Sequence, residues 1–180
     1  MISVVKHLNT VDSEILAAYI LKKHGSMSHL KLQKLVFYVQ AYHLAYFNAD
    51  LISDEFEAWV HGPVSRKLYE SLNTENALYS DVFYEEKNDS PDTIFNESLT
   101  NDQLQLIDDV LEELSPLTTL QLENMVHSEM PWKTAREGYS TVDKCHVIIE
   151  KEIIRTFYKT LIYGKETTQK VPVMLSLIHI

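Results

Sequence analysis

Most hydrophobic positions of the chain recur every three or four residues, a spacing that predicts amphipathic α-helices. The segments with this pattern cover residues 11–24, 28–47, 64–72, 100–115, 118–127 and 142–163. The chain has only four glycines and five prolines, which argues against a turn-rich all-β protein. The pattern therefore predicts a mainly α fold, a single compact helical domain with a small β element.

Residues 28–47 are apolar on nearly every side of the predicted helix, which is typical of the buried centre of a domain. The tyrosines of this stretch are expected in the core, with their hydroxyls at its rim. Lys31 and Lys34 lie three positions apart on one face. Such lysines either bind an anion or form the solvent edge of a buried helix, and the solvent edge is the expectation.

Two helix starts carry a capping box, in which a Thr and a Gln three residues later satisfy each other's backbone N–H groups. Thr100 with Gln103 and Thr118 with Gln121 have this spacing. Pro63 is interpreted as the residue that starts the helix over 64–72, because proline is favoured at the first helical position. The last helix is expected to bury one set of apolar residues: Ile149, Ile153, Phe157 and Leu161.

The predicted β structure is small. Residues 56–60, FEAWV, alternate around large and β-branched side chains and predict a short strand. The stretches FYEE and TIFNES flank an acidic loop and are expected to pair as a hairpin within residues 80–98. The tail, residues 165–180, has no helical stripe and is placed outside the domain, which is assigned to residues 1–164. Its end, LSLIHI, is similar to translated vector or sequencing-adaptor sequence.

Acidic side chains are concentrated in the middle of the chain. The net charge is -10, and residues 71–130 contain 14 carboxylates against Lys87 alone. A net-acidic surface repels phosphate backbones, so direct nucleic-acid binding is not expected and a basic partner is favoured. These carboxylates either keep the protein soluble or face that partner, and the candidates for the partner-facing surface are Asp109, Glu112 and Glu113.

The single cysteine, Cys145, permits no internal disulfide, which suits a reducing cytoplasm. The sequence starts without the apolar run of a signal peptide, and no segment approaches the roughly 20 apolar residues of a membrane helix. A cytoplasmic protein without a membrane partner is expected.

Motifs for catalysis are nearly absent. Four glycines leave neither a Walker A loop nor GxGxxG, and GxSxG is missing. The eight histidines form no HxxxH or HExxH pair, so no metal and no cofactor are expected. His61 and His127 remain as an acid–base pair, or each is a polar cap bonded to a backbone carbonyl. The cap is the expectation for both histidines.

Four stretches occur together in a specific order: HLKLQKLVFYVQAYHLA, FEAWVHGPVSRKLYESL, LENMVHSEMPWKTAREG and IIEKEIIRTFY. Over residues 8–160 the chain resembles the Panacea domain, the family of SocA-like antitoxins and phage-associated GepA-like proteins. The resemblance places the family motif, as scaffold or partner contacts, at Leu32, Lys34, Leu35, Tyr38, Gln40, Ala58, Trp59, Gly62, Pro63, Val64, His127, Pro131, Trp132, Ala135 and Arg136.

The resemblance implies a non-enzymatic antitoxin of a toxin–antitoxin system. Such a protein neutralises a cognate toxin, encoded nearby, by direct protein–protein binding. Two alternatives stay open: an adaptor that delivers the bound toxin to a protease, and a small hydrolase that uses His61 and His127. Under the first interpretation no residue is catalytic, and the toxin is expected to be basic.

Overall fold

The computed structural model describes residues 8–72 and 77–164. These residues form eight α-helices: α1 Ser13–His24, α2 His29–Phe47, α3 Arg66–Leu72, α4 Pro91–Ser98, α5 Asn101–Leu114, α6 Thr119–Ser128, α7 Met130–Ala135 and α8 Lys151–Tyr163. They also form four short strands: β1 Met27–Ser28, β2 Glu57–Trp59, β3 Gly62–Val64 and β4 Asp81–Val82. The expected mainly α fold is confirmed. The tail from residue 165 lies outside the described residues.

Helix α2 is the centre of the fold. Every residue of α2 from His29 to Ala45 is buried except Lys31, and helices α1, α5, α6 and α8 all pack against it. The expectation of a solvent edge is wrong for Lys34, whose side chain is fully buried. Lys31 is half-buried, and its ammonium donates to the Ser115 carbonyl at 2.7 Å.

The expected strand near residues 56–60 is β2, and its partner is β3. The two strands pair antiparallel, with Ala58 opposite Pro63 and Trp59 opposite Gly62. The interpretation of Pro63 as a helix start is therefore wrong. Helix α3 begins at Arg66, after Ser65. The Ser65 hydroxyl accepts the Leu68 N–H at 3.1 Å, as an N-cap residue does.

The hairpin expected within residues 80–98 is also wrong. Strand β4 pairs antiparallel with β1, far from it in sequence, and residues 93–98 belong to helix α4. Pro91 stands at the start of α4, where its fixed φ favours a helix. Phe95 of α4 is fully buried and stacks on Tyr19, with ring centroids 4.4 Å apart. This contact docks α4 on α1.

The last helix starts later and faces the core differently than the sequence indicates. Helix α8 begins at Lys151 and buries three residues, Ile154, Tyr158 and Ile162. The expected residues Ile153, Phe157 and Leu161 are half-buried at the edges of that face. Ile149 is buried as expected, but it precedes the helix and donates its N–H to the Phe56 carbonyl at 2.8 Å.

Both capping boxes are confirmed. In each, the Thr hydroxyl accepts the Gln backbone N–H and the Gln side chain accepts the Thr backbone N–H. They begin α5 at Asn101 and α6 at Thr119. Helix α6 packs beside strand β3 of the β2–β3 hairpin, and this placement assembles the site described next.

Candidate functional site

A buried lysine connects α2 to the turn of the β2–β3 hairpin. The Lys34 ammonium donates a hydrogen bond to the His61 carbonyl in that turn. Gly62, with φ +122°, leaves the space for this approach. A Cβ on Gly62 would lie 2.6 Å from Lys34 Nζ and 3.2 Å from Val126 Cγ1. The hydrogen bond of Lys34 to the turn therefore requires a glycine at position 62, and both residues are motif positions.

The other side of the hairpin is held by Arg136, which is buried. Its Nη1 donates to the Ala58 carbonyl at 2.8 Å. Its Nη2 donates to the carbonyls of Ser140 and Asp143 at 2.7 and 2.8 Å. The guanidinium therefore joins the hairpin to the loop after α7 through three backbone acceptors.

Trp132 of α7 connects the hairpin to α6. Its indole N–H donates to the Trp59 carbonyl at 2.9 Å. Its ring stacks on the imidazole of His127, with centroids 4.1 Å apart. Motif residues from three distant segments of the chain therefore meet around one short hairpin.

Glu123 of α6 lies between the two candidate histidines. Its Oε1 is 2.9 Å from His61 Nδ1 and 4.0 Å from His127 Nε2. The side chains of His61, Glu123 and His127 are 39%, 19% and 29% exposed, so solvent reaches the group. We call these three residues the histidine–glutamate cluster.

The cluster extends to a tyrosine. The Tyr79 hydroxyl lies 2.9 Å from His61 Nε2, and Tyr79 is 70% exposed. Hydroxyl, imidazole and carboxylate thus form a chain of hydrogen bonds. The cap expectation is wrong for His61, because its side chain contacts Glu123 and Tyr79 rather than a backbone carbonyl.

Burial determines the charge of this region. Burial lowers the pKa of Lys34 to about 8, although Glu123 opposes the shift. Burial also lowers the pKa of His127, while Glu123 and a hydrogen bond to the Val60 backbone raise it. The Val60 contact agrees with the cap expected for His127. At neutral pH Glu123 faces one buried ammonium group and an imidazole that favours the neutral form.

A buried carboxylate lies between α6 and α7. Glu129, in the HSEMPW stretch, accepts a hydrogen bond from the Tyr38 hydroxyl. Burial raises the pKa of Glu129 to about 7, and the hydroxyls of Tyr158 and Tyr38 lower it. Tyr158 packs edge-on against Tyr38 and Tyr42, with centroids 6.0 and 5.2 Å away. The carboxylate of Glu129, at the corner between α6 and α7, therefore lies among aromatic side chains of the core.

The expected partner-facing carboxylates lie on α5, away from the hairpin. Glu112 is exposed, whereas Asp109 and Glu113 are half-buried. Asp109 accepts a hydrogen bond from the Gln105 amide at 2.8 Å. Of the three expected carboxylates, only Glu112 is exposed, and the role of this α5 face as toxin-facing surface stays a prediction.

No group of three or more His, Cys, Asp or Glu side chains in residues 8–72 and 77–164 is arranged to hold a metal ion. In the same part of the chain, no helix has the length and apolar character to cross a membrane.

The fold and the hairpin contacts define a small helical domain built around one buried helix. A family model described as "Antitoxin SocA-like, Panacea domain" matches residues 32–133, more than half of the 180 residues. The chain belongs to this family of SocA-like antitoxins. No curated protein and no solved structure matches it.

The motif positions are mostly interior. All of them are buried except Trp59, His127 and Ala135, which are half-buried. Sequence reasoning did not single out Glu123 or Glu129, which bring the histidines and the tyrosines together. The one available signal was the spacing of Glu123 and His127, which are four residues apart on a helix and therefore neighbours.

Proposed function

We propose that this protein is an antitoxin that neutralises a cognate toxin, encoded next to it, by direct protein–protein binding. The observation that carries the proposal is the family match over residues 32–133. The net charge of -10 supports a toxin with a basic surface, because opposite charge accelerates association. We place this encounter in the cytoplasm, because a buried free cysteine is compatible with the reducing conditions there.

The test is to express the product of the adjacent open reading frame from an inducible promoter, with and without this protein, and to count colonies. We expect killing that this protein relieves, and a stable complex of the two purified proteins. A lethal neighbour whose killing is not relieved would contradict the proposal. A harmless neighbour would contradict it as well.

A second function, small-molecule hydrolysis, is favoured by one observation. Glu123 bonds His61 and lies 4.0 Å from His127, and a carboxylate that orients an imidazole is a usual arrangement for acid–base catalysis. Replacing both histidines, His61→Gln with His127→Gln, separates the two functions. Neutralisation by binding should survive the double replacement, whereas catalysis by these histidines would be abolished.

The matched control is His146→Gln, since His146 is exposed and lies outside the histidine–glutamate cluster. Circular dichroism of each variant verifies its fold before survival is compared. Loss of neutralisation in the folded double variant, with retention in the control, would favour the hydrolase.

A further inference from the structure

A cleft of about 350 Å³ lies on the opposite side of α1 from its contact with α2, bounded by the end of α3 and by residues 81–91. Its α1 side is apolar and built from small or aliphatic residues: Ile15, Ala17, Ala18 and Leu21. Leu72 and Val82 continue this lining across the cleft. We call it the α1 cleft. The histidine–glutamate cluster lies outside its lining.

The rim of the α1 cleft is acidic. Glu14, Asp81, Glu85 and Asp89 line it, against Lys87 as the one basic residue. None of these four carboxylates takes part in the salt bridges among the described residues. The rim therefore carries a net negative charge, four carboxylates against one ammonium group, around an apolar floor.

Salt bridges tie the walls of the cleft to both ends of α1. Lys67 of α3 lies 3.1 Å from Asp12, the residue that caps α1. Lys22 in the last turn of α1 lies 2.7 Å from Asp92 of α4. Together with the buried stacking of Phe95 on Tyr19, these contacts hold α3 and α4 against α1, and walls that are already packed lose less entropy on binding.

We propose that the α1 cleft binds a segment of the toxin that places a large apolar side chain on the floor, with lysine or arginine residues on either side. This inference rests on the proposed antitoxin function. A volume of about 350 Å³ suits one or two large side chains, at the small end of binding pockets. Phe83 lines the cleft and is 64% exposed, so a bound segment could cover an aromatic side chain of the kind enriched at interfaces.

The apolar floor of the α1 cleft distinguishes this surface from the α5 face. Both are acidic, but the cleft joins its carboxylates to a concave apolar floor, and α5 presents Glu112 on a convex helix. Apolar burial provides affinity, whereas exposed charges mainly set the association rate and the specificity. The cleft combines the two contributions in one place.

The first test uses two pairs of charge reversals with the same change in net charge. Glu85→Lys with Asp89→Lys alters the exposed cleft rim, and Asp109→Lys with Glu112→Lys alters α5. The dissociation constant for the product of the adjacent open reading frame is measured by calorimetry at about 0.15 M salt. We expect the cleft pair to weaken binding about tenfold or more and the α5 pair to change it less than about threefold.

A second variant fills the cleft without changing its charge. Ala18→Trp should occupy the floor and weaken binding at least as much as the rim reversal, while circular dichroism remains that of the wild type. If Ala18→Trp does not fold, the rim reversal, which alters exposed side chains only, decides whether the α1 cleft binds the toxin. A photocrosslinker in place of Phe83 should capture a toxin segment in which an apolar residue is flanked by lysine or arginine.

The outcomes separate this inference from the proposed function. If the wild type binds the neighbour and both cleft variants bind equally well, the cleft inference is overturned and the antitoxin function stands. Binding lost only in the α5 pair would overturn it too, as would a crosslink from position 83 to a second copy of this chain. If the wild type neither binds nor neutralises the product of the adjacent open reading frame, both proposals are wrong.

Discussion

Gly62 is the residue on which the contact between Lys34 and the hairpin turn depends. Its φ of +122° is unfavourable for residues with a Cβ, and an added Cβ would lie 2.6 Å from Lys34 Nζ. Because Lys34 is buried and bonded to the His61 carbonyl, it can move away only by breaking that bond. Gly62→Ala should therefore lower the free energy of unfolding by about 3 kcal/mol, measured by urea denaturation.

The matched control is Gly138→Ala. Gly138 also has positive φ, +85°, but a Cβ there would meet nothing within 4 Å. This variant should lose only the backbone strain, about 1–2 kcal/mol. Equal losses at the two glycines would show that Lys34 does not constrain position 62.

Glu129 should make stability depend on pH. Its pKa is about 7 in the folded protein and near 4.5 without burial, so its contribution is complete below about pH 4.5. Between these values the folded state holds a proton that the unfolded state releases. The free energy of unfolding should therefore fall, by about 3 kcal/mol in total, as the pH rises through 7. Urea titrations at several pH values measure this loss.

The difference between the wild type and Glu129→Gln isolates this contribution, because all other ionisable groups are present in both proteins. Lys34 does not contribute in the same window. With its pKa lowered to about 8 from 10.5, it is protonated in both states below pH 8 and adds stability only as the pH rises above 8. A difference that does not vary with pH from 4.5 to 7 would contradict the proton assigned to Glu129.

At the scale of elements, Arg136 is one of the anchors of the β2–β3 hairpin and joins it to the loop after α7. Replacing Arg136 with Met removes three hydrogen bonds and leaves the carbonyls of Ala58, Ser140 and Asp143 without this donor. We expect a loss of about 3 kcal/mol or more in the free energy of unfolding. Amide hydrogen exchange should show the loss of protection first in β2 and β3.

Arg155→Met serves as the control, since Arg155 is a half-buried arginine of α8 whose guanidinium bonds the side chains of Glu152 and Asn48 rather than backbone carbonyls. Exposed ion pairs contribute little, so this variant should lose less than about 1 kcal/mol. If the two arginine variants were equally stable, the hairpin would not depend on its guanidinium anchor.

Local signals predicted those elements whose ends are fixed by neighbouring residues. The boxes at Thr100 and Thr118 correctly began α5 and α6, and the apolar circumference of residues 28–47 correctly marked the buried helix α2. The capping interactions join residues only three positions apart, and the burial of α2 follows from the high hydrophobicity of its whole segment. Such interactions can be read from the sequence.

Elements fixed by distant partners were predicted wrongly. Pro63 favours a helix start locally, but pairing of Gly62–Val64 with Glu57–Trp59 holds it in a strand. In α8 the inward face is set by Tyr158, which packs against the tyrosines of α2. The face therefore lies one residue later than the aliphatic pattern indicates. Tertiary packing outweighed the local preference in both elements.

Across the whole molecule, the candidate site is assembled from segments that are far apart in sequence. Lys34, His61, Glu123 and His127 come from α2, the hairpin turn and α6. The histidines were candidates from their residue type alone, but the carboxylate between them depends on how α6 docks against the hairpin. The motif residues mark this scaffold more clearly than they mark a partner-binding surface, and the α1 cleft is formed largely by other residues.

The fate of the toxin in the cell distinguishes occlusion from delivery to a protease. If this protein neutralises by occupying the toxin's surface, the bound toxin is protected, because binding stabilises its folded state. After protein synthesis is blocked, the half-life of the toxin should be unchanged or longer when this protein is present, as measured by immunoblotting. The Ala18→Trp variant should return the half-life to that of the free toxin. A half-life that this protein shortens would instead identify an adaptor, and neutralisation would then require the protease.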